Sequence, residues 1–290
     1  MSKFILTAFA DEITTDLKTQ MEVLEKHGIK HIEMRKVNGK NLVDHSLDEV
    51  RELKRQLDAR GFKISAIGSP LGKIQITDEF EPHFALFKHT MEIAKILETK
   101  YIRMFSFYIP QGENPANFRD EVMNRWSKFI AAAKGSGLVL LHENEKEIYG
   151  DTPERCLDLL ETMKSPYLKA IFDPANFIQC DVKTYPEAYG LLKDYIVYMH
   201  IKDANYRDHQ VVPSGYGDGK VKEILVALHN QGFEGFLSLE PHLTNFDGFA
   251  DLELDSPVKT LPKGNGPEKF AIATEALKKI IRENDLQGGK

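Results

Sequence analysis

The chain has very little cysteine. Cys156 and Cys180 are its only two, and they do not form a CxxC pair. A disulfide framework is therefore excluded, and the composition fits a reducing compartment. Because free cysteines commonly behave as small buried hydrophobes, we expect both thiols to be packed rather than reactive.

Long apolar runs are also missing. No stretch approaches the ~20 apolar residues that a membrane-spanning helix needs. The apolar run 4–10 is at the short limit for the core of a signal peptide, and Asp11 and Glu12 follow it where a cleavage site would stand. We therefore expect a cytoplasmic protein that has no membrane partner.

The sequence has no basic stripe interleaved with aromatic residues. Its 38 lysines and arginines are outnumbered by 44 acidic residues, which gives a formal net charge of -6. Nucleic acid is therefore a poor candidate for a partner. A length of 290 residues allows one large barrel or two smaller domains, with ample material for a core.

What the sequence does contain is a regular alternation of short apolar runs with helical patterns. Ser46 and Glu49 match a capping box before one helix, and Pro153 stands at the first position of another. Eight strands that alternate with eight helices predict a (β/α)8 TIM barrel, one domain over residues 1–290. A doubly wound sheet is the alternative, but no GxGxxG follows the first strand. The strands are predicted at 4–10, 31–34, 62–67, 101–107, 138–143, 168–173, 195–200 and 236–240.

Four of these apolar runs end on a residue that binds metals: Glu143, Asp173, His200 and Glu240. The carboxyl ends of barrel strands converge on one face, so the four side chains are predicted to be neighbours. Three carboxylates placed together would repel one another and raise their pKa values, a conflict that a divalent cation removes. One imidazole and three carboxylates suit Mn²⁺, the expected ion, with Mg²⁺, Co²⁺ and Zn²⁺ as alternatives.

Strand parity selects among the residues of the motif at 142–145. Alternate residues of a strand share a face, so His142 and Glu143 cannot both point inward. Leu141, Glu143 and Glu145 fall on one side. Glu143 is therefore the predicted ligand, and Glu145 is its support or its substitute.

These motifs resemble the xylose-isomerase-like barrel superfamily of sugar isomerases and epimerases, which also contains inosose dehydratase and endonuclease IV. The resemblance covers nearly the whole chain. It rests on Glu143 after its strand, Asp173-Pro174-Ala175-Asn176, His200-Ile201-Lys202-Asp203-Ala204, Ser238-Leu239-Glu240-Pro241, Phe9-Ala10-Asp11-Glu12 and Ser69-Pro70-Leu71-Gly72-Lys73.

The resemblance implies that the four ligands hold one divalent ion, which binds two adjacent oxygens of a ketose or an aldose. It also implies that Glu143 and Glu240 act as proton-transfer groups from opposite sides of the sugar. Isomerisation or epimerisation next to a carbonyl removes a carbon-bound proton and passes through an enediolate, whose charge the metal neutralises. The same carboxylate or the opposite one then returns the proton.

Three positions depart from the ketose 3-epimerases of that superfamily. Asn176 stands in place of a histidine, Tyr149 in place of a glutamate, and Tyr206 in place of an arginine, with Arg207 next to it. The histidine, glutamate and arginine that are replaced here bind the substrate in those enzymes. Ketose 3-epimerase activity therefore does not follow from the resemblance. The further histidines of endonuclease IV are not reproduced either, so DNA repair is not expected.

Further residues are candidates for binding the substrate: Lys202, Asn176, Lys73, Glu145 and Arg207. The glycine-rich loop 213–219 is interpreted as a lid, or as a phosphate site built from its backbone N–H groups. Glu33, Arg35 and His242 are candidates for the site or for ion pairs, whereas Trp126 is assigned to packing.

The function predicted from the sequence is a metal-dependent isomerase or epimerase of carbohydrate metabolism. Its expected partner is a small-molecule ketose, keto-sugar or sugar phosphate, and a homo-oligomer is left open. The alternatives are a metal-dependent dehydratase or lyase that acts on a keto-inositol or 3-keto-sugar, and a barrel that binds a sugar without turnover.

Overall fold

The computed structural model describes residues 3–243 and 265–286. Eight parallel strands form one sheet in the order β1-β8-β7-β6-β5-β4-β3-β2. The two edge strands, β1 and β2, lie in contact, so that the sheet is a nearly closed barrel. The predicted (β/α)8 TIM barrel is confirmed. Its strands are β1 (Lys3–Ala8), β2 (His31–Met34), β3 (Lys63–Ile67), β4 (Tyr101–Met104), β5 (Val139–Glu143), β6 (Leu168–Phe172), β7 (Ile196–Ile201) and β8 (Glu234–Leu239).

The helices surround the barrel, and two of the predicted caps are present. At the start of α2, Ser46 Oγ accepts from the Glu49 backbone N–H at 3.3 Å while Glu49 Oε2 accepts from the Ser46 N–H at 2.6 Å. Thr152 caps α5, and Pro153 is its first residue. The helices are α1 (Leu17–Lys26), α2 (Leu47–Ala59), α3 (Phe80–Ile96), α4 (Arg119–Ala133), α5 (Pro153–Met163), α6 (Pro174–Ile178), α7 (Tyr189–Leu192), α8 (Val221–Asn230) and α9 (Gly266–Glu283).

Some local details differ from the prediction. The first strand ends at Ala8 and does not reach residue 10, where a short 3₁₀ helix (Ala10–Glu12) begins. The fourth strand ends at Met104 and does not reach Phe107, whose φ of 67° is incompatible with a strand. The short helix α6 was not predicted; it forms because Asp173 caps it, its Oδ1 accepting from the Asn176 N–H at 2.9 Å. The sequence also predicts a long polar segment before the last helix, at about 244–267, most of which lies outside the described residues.

The core contains an apolar layer between barrel and helices and a polar layer inside the barrel. Trp126 on α4 is fully buried against Phe129, which confirms its assignment to packing. Inside the barrel, Ser65 Oγ lies 2.7 Å from Thr7 Oγ1 and 2.9 Å from the Tyr198 hydroxyl. These three residues lie on β3, β1 and β7, and Tyr198 stands two positions before His200 on β7. No helix among residues 3–243 and 265–286 has the length and apolar character needed to cross a membrane.

Candidate metal centre

The four strand-end residues come together as the barrel geometry predicts. Glu143 is the last residue of β5, His200 lies near the end of β7, and Asp173 and Glu240 directly follow β6 and β8. All four side chains are buried, and one ligand atom from each lies within 4.8 Å of the other three. Side chains that are far apart in sequence therefore form one compact cluster of three carboxylates and one imidazole, which we call the acidic cluster.

His200 lies at the middle of the acidic cluster. Its Nδ1 is 2.9 Å from Glu143 Oε1 and 3.4 Å from Glu240 Oε2, while Asp173 Oδ2 lies 3.7 Å away. Burial lowers the pKa of His200, but Glu143 and Glu33 outweigh it and raise that pKa well above the usual value. Without a metal cation, a proton on this imidazole offsets part of the surrounding negative charge.

Glu33 on β2 contacts the other side of the same ring. Its two carboxylate oxygens lie 3.2 and 3.3 Å from His200 Nε2, and the side chain is fully buried. Although burial raises the pKa of Glu33, His200 holds it below the usual value. A carboxylate that accepts from one ring nitrogen leaves the other nitrogen free to bind a metal and fixes the orientation of the ring.

Asp173 supplies the observation that tests whether a cation fits. Its Oδ1 caps α6, whereas its Oδ2 is buried and accepts no hydrogen bond. Lys202 Nζ lies 3.0 Å from that oxygen, as an ion pair without hydrogen-bond geometry, and 3.2 Å from Glu240 Oε2. A buried acceptor left without a hydrogen bond requires an explanation, and a cation bound by the acidic cluster provides one. Three carboxylates and one imidazole therefore fit a hard or borderline divalent ion.

Glu240 is held by an arginine and a neighbouring histidine. Arg35 Nη1 lies 3.1 Å from its Oε1, and His242 Nε2 lies 3.3 Å from the same oxygen. Burial raises the pKa of Glu240, but Lys202 and His242 outweigh it and hold that pKa well below the usual value. Arg35 is in turn fixed by Asp11, whose Oδ2 accepts from its Nε at 2.7 Å.

A second group of potential ligands shares Glu240 and adds Glu12 and His242, again within 4.8 Å of one another. Arg35 already supplies positive charge there, because its Nη2 lies 3.5 Å from Glu12 Oε1. Burial raises the pKa of Glu12 to about 7, despite the opposing effects of His242 and Arg35. The acidic cluster offers four ligands, among them the Asp173 Oδ2 that accepts no hydrogen bond, whereas this group offers three, so the acidic cluster is the better candidate.

Glu143 is held by a residue that the sequence analysis missed. Arg103 on β4 is buried, and its Nη1 lies 3.2 Å from Glu143 Oε2. Its Nη2 donates to the Gly68 carbonyl at 3.2 Å, and its guanidinium lies 4.9 Å from the centre of the Phe9 ring. An arginine inside an otherwise apolar strand was the available signal, since such a charge needs a buried partner.

The other predicted substrate-binding residues differ in their surroundings. Lys73 Nζ and Glu145 Oε2 form an ion pair at 2.9 Å with little exposure, and Lys73 and Lys202 lower the pKa of Glu145 to about 2 despite its burial. Asn176 Nδ2 donates to Glu143 Oε1 at 3.3 Å. Arg207 has an 87% exposed side chain paired with Asp208. Their contact with substrate stays a prediction.

The side chains at two of the departure positions are engaged elsewhere. The Tyr149 hydroxyl donates to Asp158 on α5, and the Tyr206 hydroxyl donates to the Val182 carbonyl. His142 points away from Glu143, as parity predicts, and lies 2.9 Å from Ser106 Oγ and against the Trp126 ring.

The glycine-rich loop 213–219 closes around Asp203, a buried residue that follows β7. Asp203 Oδ2 accepts from the N–H groups of Gly215 and Gly217 at 2.8 and 3.1 Å. Asp203 Oδ1 accepts from the N–H of Gly219 at 2.8 Å and from its neighbour Ala204 at 2.9 Å. The N–H groups that a phosphate site would use are therefore already bonded, and the phosphate interpretation of these glycines was wrong. The lid interpretation stays a prediction.

Residues 21–285 match the family model described as xylose isomerase-like TIM barrel. The chain belongs to this family. No protein of curated function matches the sequence well enough to count as a relative.

Among similar solved structures of the family is the IOLI protein with a bound zinc atom (20% identity, TM-score 0.71, covering 97% of this chain and 99% of that one). Another is the 3-keto-D-glucoside 4-epimerase YcjR from E. coli (14% identity, TM-score 0.67, 97% and 100%). A third is the probable 3-DHS dehydratase AsbF from Bacillus anthracis (17% identity, TM-score 0.71, 96% and 99%). At such identities the likeness shows the fold alone.

Proposed function

We propose that this member of the family is a divalent-metal-dependent isomerase or epimerase that acts on a keto-sugar. The observation that supports this most directly is the acidic cluster, which places Glu143 and Glu240 beside His200 in one buried group. A divalent cation bound there would polarise the sugar carbonyl and neutralise the charge that develops on its oxygen. We propose Mn²⁺ as that cation.

The two glutamates are the proposed proton-transfer groups. Each is held by an arginine, Glu143 by Arg103 and Glu240 by Arg35, and these contacts fix the position of each carboxylate. One glutamate would remove the proton from the carbon next to the carbonyl. Return of the proton by the same glutamate to the neighbouring carbonyl carbon gives isomerisation, and return by the other glutamate to the opposite face of the original carbon gives epimerisation.

Lys202 is proposed to bind the substrate. Burial lowers its pKa, but Asp173 and Glu240 outweigh burial and raise that pKa well above the usual value. The side chain therefore places an ammonium donor beside the two carboxylates. A hydrogen bond from Nζ to a substrate oxygen would orient the carbon-bound proton toward a glutamate.

A dehydratase or lyase that acts on a keto-inositol or a 3-keto-sugar is the second candidate. The Tyr149 and Tyr206 hydroxyls are bonded within the protein, at positions where the ketose 3-epimerases carry residues that grip the substrate. A structural neighbour described as a probable dehydratase adds support. The same removal of a proton would then be followed by loss of a β-hydroxyl instead of reprotonation.

The test is solvent exchange. The Mn²⁺-loaded protein is incubated in D₂O with a panel of ketoses, 3-keto-sugars and keto-inositols, and deuterium at carbon is measured by NMR. We expect exchange at the position next to the carbonyl in one substrate, and its loss in Glu143→Gln. Glu161→Gln, at an exposed position on α5, is the matched control.

Loss of water with new ultraviolet absorbance would favour the dehydratase. If no sugar of the panel shows exchange or loss of water, both candidates are contradicted. A barrel that binds a sugar without turnover then remains.

A further inference from the structure

We infer that the substrate is an uncharged keto-sugar or keto-polyol and not a sugar phosphate. This inference rests on the proposed function and narrows its substrate class. It follows from two independent features of the described residues. One is the set of charges around the acidic cluster, and the other is the set of hydrogen bonds that Asp203 accepts from the glycine-rich loop.

The cations near the acidic cluster are all engaged by carboxylates. Lys202 Nζ lies 3.0 Å from Asp173, Arg103 Nη1 lies 3.2 Å from Glu143, and Lys73 Nζ lies 2.9 Å from Glu145. Arg35 contacts three carboxylates: those of Asp11, Glu12 and Glu240. A phosphate that used any of these four cations would have to share it with a carboxylate, and the two anions would repel each other.

The balance of charge also disfavours an added anion. The four cations face seven carboxylates that are themselves buried, so carboxylates outnumber cations around the acidic cluster. A phosphate ester would bring up to two further negative charges into this enclosed region, where like charges repel strongly. The seven are Asp11, Glu12, Glu33, Glu143, Glu145, Asp173 and Glu240.

The second feature is the loop after β7, on the face of a barrel where phosphate groups are commonly bound. The N–H groups of Gly215, Gly217 and Gly219 converge there, as they would around an anion. The anion is the chain's own: Asp203 accepts all three hydrogen bonds at 2.8–3.1 Å. A Cβ on Gly217 or Gly219 would approach the Asp203 carboxylate to 2.5 or 2.6 Å, so the fit depends on glycine.

Together these features leave neither the four cations nor the N–H groups of the three glycines open to a phosphate without competition from a carboxylate of the protein. A neutral polyol needs only hydrogen-bond donors and acceptors, which the ammonium, guanidinium and carboxylate groups of the site supply. The chemistry of the site therefore matches hydroxyl and carbonyl oxygens and not a phosphate.

The first test compares affinities. Calorimetry of the Mn²⁺-loaded protein measures D-fructose against D-fructose 6-phosphate, with D-tagatose and its 6-phosphate as a second pair. We expect each phosphate ester to bind at least about tenfold more weakly than its parent sugar, because of the repulsion described. An ester that binds more tightly than its parent in either pair would overturn the inference.

The second test removes the internal anion. Asp203→Ala should lower the Tm, and inorganic phosphate should restore part of it by bonding the three exposed N–H groups. The control is Asp208→Ala, which changes a nearby acidic residue outside this set of bonds. Phosphate should not raise the Tm of this control or of the wild type. A phosphate-induced rise in the Tm of metal-free wild type would contradict the inference.

The readouts separate this inference from the proposed function. Affinity and Tm are measured without turnover, whereas the proposed function is tested by deuterium exchange. Exchange that occurs only with phosphate esters would support the function and overturn the inference. A lack of exchange with every sugar would overturn the function and leave the comparison of affinities valid.

Discussion

Replacing Glu33 by glutamine tests how the barrel prepares His200 to bind a cation. Glu33 touches none of the three carboxylate ligands in the contacts described; it acts through His200 Nε2, at 3.2–3.3 Å. A negative partner on Nε2 makes the opposite nitrogen, Nδ1, a stronger ligand and keeps the ring oriented toward Glu143, Asp173 and Glu240. Glutamine preserves the shape of the side chain and removes its charge.

The expected magnitude follows from the contacts that are lost. Loss of the carboxylate partner of a metal-binding histidine typically weakens metal affinity 10- to 100-fold, about 1.4–2.8 kcal/mol. Glu33→Gln retains an oxygen that can accept from Nε2, so its loss of metal affinity should be near the lower end of this range. Glu33→Ala removes the acceptor and leaves a cavity in the polar layer, so it should fall at the upper end.

Calorimetric titration of the metal-free protein with MnCl₂ gives the affinity directly. Glu161→Gln on the exposed face of α5 is the matched control, and its Kd should equal that of the wild type. Circular dichroism checks that each variant is folded. Wild-type affinity in both Glu33 variants would refute the role assigned to this residue.

Three further outcomes are expected elsewhere in the molecule. Glu143→Gln and Glu240→Gln should each abolish deuterium exchange while the circular dichroism spectrum is unchanged; full exchange in both would reject their role as proton-transfer groups. Trp126→Ala should lower the free energy of unfolding by about 3–5 kcal/mol in urea, because it empties a fully buried site, and a loss below about 1 kcal/mol would be inconsistent with that packing. Ser46→Ala should cost about 1 kcal/mol by the same measurement, with an unchanged value contradicting the capping box.

The fold was predictable because its signals are local. Apolar runs of strand length, capping residues such as Ser46 and a proline at the start of α5 each depend on a few neighbouring residues. Placement of the acidic cluster also followed, since a barrel brings the carboxyl ends of its strands to one face. Knowing that Glu143 and Glu240 end two strands was therefore enough to place them in one region.

The supporting contacts were not predictable from the same signals. The pairing of Glu33 with His200 joins residues that are 167 positions apart, and that of Arg103 with Glu143 joins residues 40 apart. Neither pair leaves a periodic pattern in the sequence. Asp203 shows the same limit, because only the folded loop reveals that its carboxylate, and not a ligand, bonds the glycine N–H groups.

The central claim is that one divalent cation binds among the ends of β5, β6, β7 and β8. A crystal soaked in MnCl₂ and measured at the manganese absorption edge tests it directly. The account predicts one anomalous peak per chain, coordinated by Glu143, Asp173, His200 and Glu240. No peak, or a peak on Glu12, Glu240 and His242 alone, would contradict it.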